Sequence, residues 1–133
     1  MDPEFVRDLF APFGPITIRR MFSGAGLFRD RLMFGLIVRE AIYLKADETT
    51  APDYKSEGCG PFTYLRGKAS GQPKEHALPY WRLPERLYDD PDELAQWARK
   101  AFDVAVRKKM AVKKREKKRK PKPAKQRATK QRK

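Results

Sequence analysis

The chain of 133 residues is long enough for one domain and carries 31 Lys+Arg against 17 Asp+Glu, a net charge of +14. That excess is segregated: residues 107–133 hold 16 basic residues and one acid, Glu116, for a net of +15, while residues 1–106 carry a net of −1. A uniformly basic domain is excluded; the longest non-polar run, 32–38, is far short of the roughly 18 residues that span a bilayer, and the acidic start Met1-Asp2-Pro3-Glu4 lacks the order of a signal peptide.

Along the chain, Phe5, Val6, Leu9, Phe10 and Phe13 recur at the spacing of one helical face and predict a helix over about residues 3–13, stopped by Gly14-Pro15. Extended segments follow. Ile16-Thr17-Ile18-Arg19 alternates with period two. Ala25-Gly26-Leu27-Phe28 and the run 32–38 flank the polar connection Arg29-Asp30-Arg31, and Arg39-Glu40 leads into Ala41-Ile42-Tyr43-Leu44-Lys45, the pattern of an antiparallel meander. Because 32–38 is apolar on both faces, it reads as a central strand covered, at least in part, on each side.

Thr50-Ala51-Pro52-Asp53 starts a short helix with Thr50 as N-cap, and Gly58 is placed to end it. Phe62-Thr63-Tyr64-Leu65 reads as a strand, residues 66–75 as a Gly/Pro loop, and 76–83 as another strand closed by Pro84. Asp90-Pro91-Asp92-Glu93 then combines an N-cap acid, a proline at the first helical position and a glutamate three residues after the cap. Leu94, Trp97, Ala98, Ala101, Val104 and Ala105 continue at helical spacing. Past Val112 no apolar residue exceeds alanine or proline in size, so the expectation is a domain over 1–106 whose last helix runs to about 112, and a disordered basic tail over 113–133. A soluble cytoplasmic protein is the default expectation, with nucleoid association compatible with the tail.

Little in the body points to catalysis. The lone His76 has no partner residues at recognisable spacing, and Cys59, between two glycines, has no basic neighbour or helix N-terminus to activate it. A single cysteine also excludes a disulfide framework or a multi-cysteine metal site. The acids Asp89, Asp90, Asp92 and Glu93 are explained by helix capping. Gly24-Ala25-Gly26 lacks the third glycine of a dinucleotide loop, and Gly67-Lys68-Ala69-Ser70 lacks the upstream glycine of a P-loop. No enzyme, catalytic residue, metal or cofactor is expected.

The tail has a chemistry of its own. Lys113, Lys114, Arg115, Lys117, Lys118, Arg119, Lys120, Lys122, Lys125, Arg127, Lys130, Arg132 and Lys133 are the candidate nucleic-acid-binding residues. Engaging about 8 phosphates gives a log–log salt slope of roughly −7 through counterion release. The tail has no aromatic residue to stack on bases, so contact with DNA or RNA should be sequence-tolerant. Acidic membrane surfaces fit less well, because neither an amphipathic stretch nor a lipidation signal accompanies the charge.

Taken in order, Arg19-Arg20-Met21-Phe22-Ser23-Gly24-Ala25-Gly26-Leu27-Phe28, Leu32-Met33-Phe34-Gly35-Leu36-Ile37 and Leu44-Lys45-Ala46-Asp47 resemble motifs of the TfoX/Sxy N-terminal domain family. Pro61-Phe62-Thr63-Tyr64, Tyr80-Trp81-Arg82-Leu83-Pro84 and the Asp90-Pro91 helix with Trp97-Ala98 extend the resemblance over about residues 4–106. One departure is Ser23, where the family commonly has glycine. The resemblance implies an α+β fold, an antiparallel sheet of about five strands with packed helices in the order α-βββ-α-ββ-α, secretion-chaperone-like or YjbR-like. It further implies a non-enzymatic protein, related to bacterial activators of competence genes that act with the cyclic-AMP receptor protein and carry a second, helix-hairpin-helix domain; here a basic tail follows instead. Arg19, Arg20 and Arg82 are the basic residues of the shared motifs; at most one of Arg19 and Arg20 faces the core, and Asp47 or Glu48 is a candidate partner for a buried arginine. Two functional expectations follow. The first is a regulatory or accessory protein whose body binds a protein partner, such as a transcription regulator, or itself, while the tail contacts nucleic acid. The second is a protein-interaction, chaperone-like module whose tail only solubilises.

Overall fold

The computed structural model describes residues 1–21, 24–66 and 74–119. Helix α1 spans Pro3–Leu9, shorter than the predicted 3–13; Asp2 caps it by accepting from the Glu4 amide at 3.1 Å, and the chain continues to Phe13 in hydrogen-bonded turns. Strands β1 (Thr17–Met21), β2 (Gly24–Arg29), β3 (Leu32–Val38) and β4 (Ala41–Lys45) form the meander. Its two tight turns place Asp30 and Arg31, then Arg39 and Glu40, at φ of 50°, 67°, 52° and 63°. Both central residues of each turn are left-handed, the geometry whose twist matches two antiparallel strands. Helix α2 (Ala51–Ser56) precedes β5 (Pro61–Arg66) and β6 (Lys74–Arg82); a 3-10 helix, Glu85–Asp89, then leads into α3 (Pro91–Arg119).

The sheet is α+β in class, antiparallel throughout, in the order β1-β2-β3-β4-β6-β5. It has six strands where about five were expected, because four rather than three form between α1 and α2. One face is covered. Phe34, Leu27, Ile42 and Leu44 meet Val6, Phe10, Leu83, Leu87, Leu94 and Val104 in a core where each is essentially inaccessible to water. Phe34 anchors it, its ring edge-on to Phe10 with centroids 5.8 Å apart and tilted against Phe13 with centroids 5.2 Å apart. Arg29 clasps the same corner by donating from Nη1 to the Phe13 carbonyl at 2.7 Å, with its guanidinium 4.5 Å from the Phe13 ring centre. Tyr54 of α2 packs between Trp81 and Trp97, and burial pushes its hydroxyl well above the usual phenol range.

One local expectation needs correction. Thr50 does not cap α2 through its side chain; its hydroxyl instead accepts from the Asp47 amide at 3.1 Å, because Asp47 organises the turn before the helix. The run 32–38 is buried on both faces, as expected: Phe34 and Ile37 belong to the helix-packed core, and Leu36 on the other face is also buried, outside that cluster. Asp90 does cap α3, accepting from the Glu93 amide at 3.2 Å, and Gly58 ends α2 with φ of 79°. The loop predicted over 66–75 and the departure at Ser23 fall largely or wholly outside the described residues.

Candidate functional site

Helix α3 begins in the core and leaves it. Leu94, Ala98, Ala101, Val104 and Ala105 are all buried, and from Arg107 to Arg115 every side chain is exposed. The helix continues to Arg119, beyond the expected end near 112, because Lys, Arg, Ala, Met and Glu all have high intrinsic helix propensity. Lys113, Lys114 and Arg115 therefore project from a helix into solvent. Lys117, Lys118 and Arg119 lie on its last turn, and Lys120, Lys122, Lys125, Arg127, Lys130, Arg132 and Lys133 fall outside the described residues.

The helix is moored where it leaves the body. Arg107 donates from Nη2 to Asp47 Oδ2 at 2.8 Å, while Asp47 Oδ1 accepts from the Thr49 amide at 3.0 Å and its hydroxyl at 2.6 Å. Burial raises the Asp47 carboxyl, but the hydrogen bonds from Arg107 and Thr49 and the Arg107 charge outweigh it and hold the group well below the usual carboxylate range. Asp47 thus serves Arg107, not either motif arginine. A second clamp ties α2 to α3: Arg86 donates to both carboxylate oxygens of Glu57, at 3.0 and 2.7 Å, and to both of Glu93, at 2.9 Å each. Glu93 also accepts from Trp97 Nε1 at 3.3 Å, so the predicted capping glutamate is shared with packing.

Arg19, Arg20 and Arg82 are all exposed, and the register separates them by face. Arg19 pairs with Gly26, Gly26 with Leu36, Leu36 with Tyr43, and Tyr43 with Arg82. One row across five strands therefore has an arginine at each end, on the face opposite the helices. Arg20 pairs with Ala25, which packs toward the core, and so lies on the helix side. A Cβ on Gly26 would come within 3 Å of Met21 Sδ, Phe28 Cε1 and Met33 Sδ, which places those three side chains on the open face as well. The Arg19 guanidinium lies 5.6 Å from the Phe28 ring centre, and Tyr43 meets Phe62 edge-on at 5.4 Å.

At the end of the sheet Lys45 Nζ sits 5.3 Å from the ring centre of Tyr80, its register partner. Burial, then the charge of Lys108 on α3, lowers the Lys45 pKa, and burial pushes Tyr80 up to about 12. The sequence singled out Arg19 and Arg82 but not the Phe28, Tyr43, Phe62 and Tyr80 rings between and beside them. Their signal was available in the strands that are apolar at both odd and even positions.

The sequence candidates for chemistry stand apart. His76 is exposed against the Tyr64 ring at 5.7 Å, and burial followed by the Glu57 charge raises the Cys59 thiol, which keeps it protonated. Among the described residues no three His, Cys, Asp or Glu side chains are grouped to hold a metal ion, and no helix is long and apolar enough to cross a membrane.

The class defined by this arrangement is an α+β domain with one helix-covered sheet face, one open face and a basic helical extension. The model of the TfoX N-terminal domain matches residues 8–105, and the chain belongs to that family. That membership places it among TfoX-like regulatory or accessory proteins, a family not known for enzymes. No curated protein matches the chain.

Proposed function

We propose that this chain is a non-enzymatic TfoX-like regulatory or accessory protein that contacts nucleic acid through its basic C-terminal segment, in the cytoplasm and near the nucleoid. The carrying observation is the charge segregation, −1 over residues 1–106 against +15 over 107–133, together with the exposure of every side chain from Arg107 to Arg115 on α3. A solvated run of like charge releases counterions when it meets a polyphosphate, which favours binding without base readout. The body supports the extension through Arg107 and Asp47 and offers a surface for a protein partner such as a transcription regulator. Anisotropy titrations against duplex DNA at several salt concentrations test this reading. Removal of residues 113–133 should abolish salt-sensitive binding while circular dichroism shows the body folded; undiminished binding by the shortened chain would refute it.

A further inference from the structure

The open face of the sheet carries aromatic rings and an excess of cations. Phe28 and Tyr43 are held there by register, and Phe62 by its contact with Tyr43; Tyr80 shares the face but is buried. The register puts Arg19, Lys45 and Arg82 on this face, together with the basic positions 66 and 74, while Glu57 and Glu85 line a depression with Arg82 at the end of β6. Among the described residues no helix packs on it. Covering such a face needs an occupant that is flat, apolar in part and negatively charged.

Two occupants from within the system are disfavoured by charge. The chain's own C-terminal segment is a polycation and would meet Arg19, Lys45 and Arg82 with like charge. A second copy placed face to face across a two-fold axis would bring the same excess of cations together. A single strand of nucleic acid has the matching chemistry: bases that stack on aromatic rings and phosphates that pair with cations.

We propose that the open sheet face is a stacking platform for single-stranded nucleic acid, with Tyr43 and Phe62 at its centre, Phe28 to one side, and Arg19 and Arg82 holding phosphates at the two ends of the cross-sheet row. The spacing suits it: four steps between neighbouring strands separate Arg19 from Arg82 by about 19 Å, room for several nucleotides. This inference extends the nucleic-acid reading above. The extension alone sees only backbone charge, whereas the platform needs bases.

The full chain is titrated by anisotropy, at one salt concentration, with oligothymidylate of about 12 nucleotides, an abasic oligomer of equal length and a duplex. Oligothymidylate should bind roughly ten-fold or more tightly than the abasic strand. The double variant Tyr43→Leu, Phe62→Leu keeps apolar bulk on the sheet but cannot stack; it should erase that preference and leave abasic affinity unchanged. Arg82→Gln, at an exposed position, should weaken both single strands without unfolding the chain. Photocrosslinks from a halogenated oligonucleotide should map to β4 and β5.

Equal affinity for oligothymidylate and the abasic strand overturns the platform, as do crosslinks confined to residues beyond 107. A dimer in sedimentation that excludes the oligonucleotide, or occupation of the face by a protein that competes it away, overturns it too. The two nucleic-acid readings fail differently. Binding of all three probes with equal affinity sinks the platform alone; a preference for oligothymidylate with no duplex binding sinks the role of the extension alone.

Discussion

The two halves of helix α3 are helical for different reasons. From Leu94 to Ala105 the helix is held by burial, with its apolar stripe closed against β3 and β4. From Arg107 to Arg115 every side chain of the same rod is exposed, and apart from the Arg107–Asp47 pair only intrinsic propensity holds it. Its like charges at i,i+4, such as Lys109 with Lys113, oppose that propensity. A polyanion would remove the opposition, so the outer half is poised to gain helix stability from the same ligand it recruits. The inner half has nothing to gain.

Four measurements break or sharpen this contrast. The largest effect is in the packed half: Leu94→Ala should destabilise the fold by about 3 kcal/mol in urea denaturation, from lost burial plus a cavity. Lys114→Gly, in the bare half, should leave that global transition within about 0.5 kcal/mol and lower only the helical circular dichroism signal. If both substitutions shift the transition equally, the two halves are not held differently. The combined change Lys113→Ala, Lys114→Ala, Arg115→Ala should next reduce the log–log salt slope of duplex binding by about 3, without altering the urea midpoint.

The third measurement concerns the mooring. Asp47 has a folded-state pKa below its unfolded value near 3.9, so its contribution is fully present above that value and is lost as pH falls through it toward the folded one. The contribution is about 1 kcal/mol, because Arg107 is half exposed and solvent screens the pair. Asp47→Asn should therefore lower stability at pH 7 and flatten its decline between pH 5 and the acid limit; an unchanged acid limb would show that Arg107 is not anchored. The smallest effect belongs to a turn distant from α3: Arg31→Gly should stabilise the fold by about 1 kcal/mol or less, since Arg31 holds φ of 67° at a cost glycine escapes.

The elements were legible where local chemistry and tertiary demand agree. Asp90-Pro91-Asp92-Glu93 read as a helix start and is one, and Asp30-Arg31 and Arg39-Glu40 read as connections and form tight turns. The α1 helix was read too long because Phe10 and Phe13, although at helical spacing, reach the core from turns. Thr50 was read as a cap because the residue type fits; only the structure shows that Asp47 claims its hydroxyl. Helix α3 outruns its apolar stripe because the lysines, arginines and alanines beyond it have high helix propensity although none of them is large and apolar. In the candidate site, Arg19, Arg20 and Arg82 were visible as motif residues, but nothing local could join two of them and set the third apart.

Composition and order alone determined that this chain has a nearly neutral body followed by a polycation, and that the body alternates helices with antiparallel strands. Those properties are sums and local periods, and each residue contributes to them regardless of its distant neighbours. Which sheet face the helices cover, which arginines share a row, and which aromatic rings are left uncovered were decided by tertiary structure. They depend on the register between strands far apart in sequence, where a shift of one residue exchanges every side chain between the faces.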